Sequence, residues 1–200
     1  MKEVFLTRAI EFIARNTNNQ DSLGEEKREM LTYGLEGLYM TITKLVVIFL
    51  VAFLLGFIRE FIITLIFFNI IRFPGFGFHA SKSIVCLISS TLLILGLPYL
   101  FTNIEVGLTI KIILCIISVI TFIICAPADT YKRPLTNKKK RIVRKICACS
   151  LAIIYSVFII VFNGNEISNL LMAALLIETI LISPTMYLIF KEPYRNYKKI

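Results

Sequence analysis

The sequence has little of what a metalloenzyme or a disulfide-rich secreted protein needs. It contains one histidine, His79, and no Cys-x-x-Cys pair, which is too few ligands for the usual zinc patterns. Four of its five cysteines lie inside or beside hydrophobic runs, where a thiol usually serves as a small apolar packing group. We therefore expect no zinc site and no framework of structural disulfides.

We expect neither a leader nor a domain linker. The first 36 residues carry five basic and seven acidic side chains and no uninterrupted apolar core, so we do not expect a signal peptide. No stretch rich in proline, glycine and serine divides the chain. We expect one membrane domain over residues 1–200, with an N-terminal amphipathic, cytoplasmic segment (1–36), a transmembrane core (37–190) and a basic cytoplasmic tail (191–200).

Apolar residues, by contrast, make up 57% of the chain and are grouped in long blocks, which are typical of bilayer-spanning segments. The second block has only thirteen residues, so it is either tilted in a thinned bilayer or re-entrant. An amphipathic interfacial helix is predicted within residues 1–20, and a capping box at residues 22–25 predicts the next helix start. The fold class is an all-α polytopic integral membrane protein with about six transmembrane helices, at residues 38–58, 61–73, 83–101, 107–126, 145–162 and 167–190.

The net charge of +9 is concentrated beside the apolar blocks. Basic residues abutting apolar runs follow the positive-inside bias and favour contact with anionic lipids over nucleic acid, which normally binds a soluble basic surface. The segment 129–145, between the fourth and fifth apolar blocks, is the most basic connection. If this segment is cytoplasmic, six crossings place both termini and the connection holding His79 on that same side. The eight basic residues of segment 129–145 are Lys132, Arg133, Lys138, Lys139, Lys140, Arg141, Arg144 and Lys145.

His79 and Cys86 are the residues best suited to catalysis. The stretch before His79 contains Pro74, Gly75 and Gly77, which disfavour a continuous helix and predict an irregular loop. If Ser83 caps the next helix, Cys86 lies in its first turn, where unpaired amides favour a thiolate. In one continuous helix the two side chains would stand about 10 Å apart, too far for proton transfer, so we expect the loop to fold His79 back over Cys86.

Taken together, several short motifs resemble those of the accessory gene regulator B (AgrB) family, membrane peptidases of bacterial quorum sensing. The resemblance extends over nearly the whole chain, including its length and the order of its hydrophobic runs. One departure is Phe76, which separates two glycines that are paired in many members. The motifs are Arg72, Gly77-x-His79-Ala80, Cys86, Ala126-Pro127-Ala128-Asp129-Thr130 and Lys132-Arg133-Pro134-Leu135.

The resemblance implies a cysteine endopeptidase of the bacterial cell membrane that removes the C-terminal part of a small AgrD-like propeptide. By position, Cys86 is then the nucleophile and His79 the base, while Arg72 and Gly77 match positions needed for activity. The family typically works as a dimer and without a cofactor. An acyl-enzyme thioester on Cys86 would be passed to a group within the peptide, which closes a thiolactone or lactone ring.

Other polar residues leave alternatives open. Asp129 orients His79, helps to position the substrate, or is a turn residue at a helix end. Lys132 and Arg133 either guide an acidic propeptide or serve only to set the membrane topology. Glu178 lies within an apolar run and needs a partner, which could be Lys44, a backbone group or a second subunit. Rival functions are a transporter of a peptide or small anion, although no internal repeat is visible, and a non-enzymatic membrane scaffold.

Overall fold

The computed structural model describes residues 25–77, 83–129, 135, 137–190 and 194. Within these residues the chain is helical apart from one isolated bridge between Phe76 and Ala128, so the all-α prediction is confirmed there. The elements are α1 (Glu25–Leu54), α2 (Ile58–Gly75), α3 (Ser83–Thr91), a π-helical turn (Leu92–Gly96), α4 (Leu97–Asn103), α5 (Leu108–Cys125), α6 (Lys138–Val161), α7 (Glu166–Ile182) and α8 (Pro184–Ile189).

Some predictions fall on residues outside this description. They are the interfacial helix at residues 1–20, the capping box at 22–25 and, apart from Tyr194, the basic tail at 191–200. The described chain belongs to two compact units, of which one ends at Val51 and the other begins at Ala52. One membrane domain over residues 1–200 stays a prediction.

The first two helices meet at a different place from the one predicted. The predicted spans 38–58 and 61–73 place the break between them at residues 59–60, which is wrong, because α1 ends at Leu54 and Gly56 takes a positive φ of 65° that stops the helix. Arg59 and Glu60 instead lie in the first turn of α2, where the acidic side chain suits the positive helix end. The helix therefore has 18 residues rather than thirteen. At 1.5 Å per residue it is about 27 Å long, close to the thickness of a bilayer core.

Two further boundaries differ from the sequence prediction. Helix α6 begins at Lys138 rather than residue 145, because Asn137 caps it by accepting a hydrogen bond from the Lys140 amide, and lysine and arginine are good helix formers. Most of the basic cluster is therefore helical. The last apolar run breaks at Ser183, because Pro184 cannot continue helix α7 and starts the short α8.

Two ion pairs show that α2 and α7 run in the same direction. Arg59, at the start of α2, lies 3.4 Å from Glu166 at the start of α7. Arg72, near the end of α2, lies 3.1 Å from Glu178 near the end of α7. Because 13 residues separate the two arginines and 12 the two glutamates, the helices stay in register over about 18 Å.

The helices between α2 and α7 alternate in direction. Helix α6 is antiparallel to α2, since the Tyr155 hydroxyl donates to the Phe67 carbonyl, whereas Arg144, a residue nearer the start of α6, lies over the ring of Phe76 after the end of α2. Helix α5 is parallel to α7, because Lys111 and Asn169, each in the first turns of its helix, are hydrogen-bonded. The pair Phe57 and Tyr99 brings the end of the α3–α4 segment beside the start of α2.

Helices α5 and α6 are long and apolar enough to cross a membrane. Helix α5 exposes seven isoleucines, far more contiguous apolar surface than a soluble monomer normally leaves in water. The packed core lies on the other side of these helices, around α7, in which 11 of 17 residues are buried. Such an arrangement favours association with a membrane. The exposed isoleucines are Ile110, Ile113, Ile116, Ile117, Ile120, Ile123 and Ile124.

Candidate functional site

A short turn at the end of α2 is tied to the segment that follows α5. The Gly77 amide donates to the Ala128 carbonyl at 2.9 Å, and the Ala128 amide donates to the Gly75 carbonyl at 3.0 Å. Phe76 has φ 64° and Gly77 has φ 102°, both in the left-handed region, so helix α2 ends at this turn. This pairing holds Gly77 beside Ala128. Gly77 comes two residues before His79 in the sequence, and Ala128 comes directly before Asp129.

Under this turn lies a buried ion pair. Arg72 Nη1 donates to Glu178 Oε2 at 3.1 Å; the Glu178 side chain is completely buried and that of Arg72 is 17% exposed. A carboxylate in an apolar helix is expensive to bury without a counter-charge, and the guanidinium supplies one. The Arg72 guanidinium also lies 5.3 Å from the centre of the Phe68 ring. The sequence predicted an intramembrane partner for Glu178 but did not identify it.

The two glycines of the turn leave room for this ion pair. A Cβ on Gly75 would lie 2.6 Å from Glu178 Oε1, closer than carbon and oxygen can approach. A Cβ on Gly77 would lie 3.1 Å from Arg72 Nη1 and 3.3 Å from the Leu181 carbonyl oxygen. Gly75 is therefore required by the close approach of a carboxylate, and Gly77 by both its φ and its neighbours.

The basic start of α6 reaches the same turn. The Arg144 guanidinium lies 4.1 Å from the centre of the Phe76 ring and 6.0 Å from that of Phe73. A cation over an aromatic face is favourable, which gives Phe76 a contact that glycine at this position would lack. Phe76, which stands where many family members have a glycine pair, thus links the turn to α6 through Arg144.

Asp129 is held at the same end of the helices. It is 2% exposed, and its backbone carbonyl accepts a hydrogen bond of 3.1 Å from the Tyr187 hydroxyl of α8. The Tyr187 ring also packs edge-on against Tyr194, with the ring centres 5.1 Å apart. Asp129 is therefore buried beside α8, and the interpretation as a turn residue at a helix end stays open. Its role towards His79 or a substrate stays a prediction.

The remaining predicted site residues are described only in part. His79, Lys132 and Arg133 lie outside the described residues. The backbone of Cys86 lies in helix α3, the described part of which begins at Ser83, while its side chain is outside the description. The separation of His79 from Cys86 therefore stays a prediction. Within the described ranges, no three His, Cys, Asp or Glu side chains are grouped closely enough to hold a metal ion.

The sequence also matches a known protein family over most of its length. The family model described as "Accessory gene regulator B" matches residues 6–182, which include the whole turn, Cys86, Asp129 and Glu178. The chain belongs to the accessory gene regulator B family. Its members take part in accessory gene regulation, and AgrB proteins belong to the agr quorum-sensing system.

Individual AgrB proteins resemble the chain at similar levels. An AgrB-like protein of Listeria innocua is 30% identical over 178 residues, covering 88% of this chain and 86% of that protein. An AgrB-like protein of Clostridium acetobutylicum is 30% identical over 167 residues, covering 84% and 80%. Accessory gene regulator protein B of Staphylococcus aureus is 30% identical over 146 residues, covering 72% and 76%. No solved structure matches the chain.

Sequence reasoning found Arg72 and Gly77 through their likeness to AgrB motifs, and the structure brings both to one turn. It missed that Glu178 is the partner of Arg72, although an acidic residue in an apolar run was a signal that some partner exists. It also missed the contact of Arg144 with Phe76, for which the sequence carried no signal beyond the local basic charge.

Proposed function

We propose that this AgrB family member is a multi-pass cysteine endopeptidase of the bacterial cell membrane, and that it removes the C-terminal part of a small AgrD-like quorum-sensing propeptide. Family membership carries this proposal, because the matched residues 6–182 include the one histidine and all five cysteines. In the proposed reaction Cys86 is the nucleophile and His79 the general base.

The chemistry uses one sulfur and one imidazole. His79 accepts the thiol proton as Cys86 attacks the scissile carbonyl, and it then donates that proton to the departing amine of the C-terminal fragment. The N-terminal part remains bound to Cys86 as a thioester. A cysteine thiol or serine hydroxyl within the bound peptide displaces Cys86, which regenerates the thiol and closes a thiolactone or lactone ring. No cofactor is required.

The location of Cys86 in α3 supports this role. With the described helix beginning at Ser83, Cys86 is near the helix N-terminus, where amides without intrahelical partners and the helix dipole favour a thiolate. The same amides are suited to stabilising the oxyanion of the attacked carbonyl. An interfacial membrane site would limit access of water, which would otherwise hydrolyse the thioester.

Five residues are assigned to positioning or substrate binding. Arg72 and Gly77 shape the turn that leads to His79, and Asp129 is fixed beside that turn through Ala128. Lys132 and Arg133 are proposed to bind acidic groups of the propeptide.

The proposed topology has six crossings with both termini in the cytoplasm. The alternating directions of the helices from α2 to α7 support it, because each successive segment returns to the opposite end. Cysteine labelling tests it in a chain whose native cysteines are replaced with alanine. Glu105→Cys and Asn163→Cys, both at exposed positions, should react with an impermeant maleimide on intact cells, and Lys138→Cys only after permeabilisation. Equal labelling of positions 105 and 138 on intact cells would contradict this topology.

The working unit is proposed to be a homodimer in contact with membrane lipids. The detergent-solubilised protein should then have a protein mass twice the 22.9 kDa of one chain. A protein mass of one chain would contradict it.

A transporter is the second candidate, since Lys111 and Glu178 lie within apolar helices. Both charges already have protein partners, Asn169 at 2.7 Å and Arg72 at 3.1 Å, which favours the peptidase. Co-expression with a cognate propeptide in a bacterium that lacks related genes distinguishes the two functions. The peptidase produces a shortened propeptide within the cells, whereas a transporter releases uncut peptide into the medium. Uncut peptide both inside and outside would contradict the peptidase.

A further inference from the structure

The buried pair of Arg72 and Glu178 is poorly arranged for stability alone. Only Oε2 of the carboxylate is hydrogen-bonded, and Oε1 is buried with no hydrogen-bond partner among the described residues. Buried ion pairs are often replaceable by apolar side chains without loss of stability, and an unsatisfied buried oxygen adds to their cost. Helix α7 also buries Leu175, Ile177 and Ile182, so an apolar residue at position 178 would suit the same surroundings.

The pair is instead arranged around the turn before His79. Glu178 Oε1 lies against Gly75, at 2.6 Å from the place a Cβ would occupy, and Arg72 Nη1 lies 3.1 Å from the corresponding place on Gly77. Each charged group thus contacts one of the two glycines. The carbonyl of Arg72 also accepts a hydrogen bond from the Phe76 amide at 2.9 Å, which closes the last turn of α2.

Movement of the ion pair would therefore move the turn. Its backbone is attached to Ala128 by two hydrogen bonds, and Gly77 also faces the carbonyl of Leu181, three residues after Glu178 on α7. If Glu178 lost its charge, the guanidinium of Arg72 would lose this buried counter-ion, and one of the contacts that hold it beside Gly77 would be gone.

We propose that Glu178 is a positioning residue for propeptide cleavage: it holds Arg72 against the Gly75–Gly77 turn, which comes just before the proposed base, His79, in the sequence. This inference rests on the proposed function. It assigns Glu178 no contact with the substrate. A change at Glu178 should therefore affect the rate of the chemical step more than the affinity for the propeptide.

The chain offers a matched control for this role. Arg59 and Glu166 join the same two helices at their other end, 3.4 Å apart, with side chains 69% and 41% exposed. An exposed pair of this kind contributes little to stability and lies about 18 Å from the turn. Glu166→Gln therefore removes the same chemical group from the same helix without affecting the proposed site.

The test is the single-turnover rate of propeptide cleavage, with membrane-inserted full-length protein in excess over propeptide and raised in concentration until the rate saturates. Glu178→Gln should lower the saturating rate constant by about 10- to 100-fold with less than about a threefold change in the half-saturating protein concentration, because small displacements of reacting groups have effects of that size on rates. Glu178→Asp, which keeps the charge, should recover part of the rate. Glu166→Gln should cleave at the parental rate.

Protein amount does not obscure the outcome, because the rate constant at saturating protein is independent of how much of each variant accumulates. If Glu178→Gln does not insert, the comparison passes to Glu178→Asp, whose shorter side chain should still reduce the rate several-fold relative to Glu166→Asp. Parental rates for the Glu178 variants would overturn the positioning role and leave the proposed function intact. An unmodified chain that never cleaves would instead overturn the proposed function.

Discussion

Cys86→Ala and His79→Ala each leave the co-expressed propeptide uncut. Without the Cys86 sulfur no thioester forms, so cleavage falls to the background of cells that lack the protein. Without His79 no imidazole removes the thiol proton, and the leaving amine has no proton donor. We expect a loss of about 10²- to 10⁴-fold for His79→Ala, the usual contribution of general acid–base catalysis. Immunoblotting of the propeptide measures both effects.

Cys147→Ala is the matched control for the thiol. Cys147 is a free, exposed cysteine on α6, so its replacement removes a sulfur without opening a cavity in the core. We expect parental cleavage from this variant. Cleavage by Cys86→Ala at the parental rate, with both variants present in the membrane at equal levels, would remove the nucleophile from the account.

Gly77→Ala is expected to reduce cleavage by about 10- to 100-fold. At φ 102° an alanine is strained, by about 1–3 kcal/mol, and its Cβ would meet Arg72 Nη1 at 3.1 Å and the Leu181 carbonyl oxygen at 3.3 Å. The turn must then shift, two residues before the proposed base. A displacement of about 1 Å at a reacting group can cost about 10²-fold in rate. Single-turnover cleavage in membranes measures the loss.

Gly164→Ala is the control that separates the effect of backbone strain from the effect of changing the turn at Gly77. Gly164 has a similar φ of 96°, and a Cβ there would meet nothing within 4 Å. It lies between α6 and α7, at the far end of α7 from Glu178. Both substitutions place alanine at a similar strained φ, whereas only Gly77→Ala should lower the cleavage rate. Equal rate losses in the two variants would show that backbone strain alone is responsible and that the turn has no special role.

Much of the helical framework follows from residue patterns. Helix α5 runs from Leu108 to Cys125 against a predicted 107–126, because Gly107 and Pro127 bound a run that is largely apolar despite Lys111. Helix α6 was predicted to begin too late, since a search for apolar segments excludes Lys138 to Arg144, although these residues form helices well. Hydrophobicity finds the part of a helix within a membrane and not the part that extends beyond it.

The contacts that shape the site could not be read from the sequence in the same way. Arg72 and Glu178 are 106 positions apart, and Lys44 was an equally reasonable partner until the parallel packing of α2 and α7 was known. The pairing of Gly77 with Ala128 depends on where two separate connections meet. Gly75 illustrates the limit most clearly, because its lack of a side chain is explained by a carboxylate on a distant helix rather than by its local conformation.

The central claim is that the propeptide becomes attached to the sulfur of Cys86, and mass spectrometry of a stalled reaction measures this directly. Membranes mixed with propeptide are quenched in acid, digested and analysed for the peptide that contains Cys86. The account predicts an added mass equal to the N-terminal part of the propeptide, which neutral hydroxylamine removes because it cleaves thioesters. Cleaved propeptide without an adduct on Cys86 at any time point, or an adduct on another residue, would contradict it.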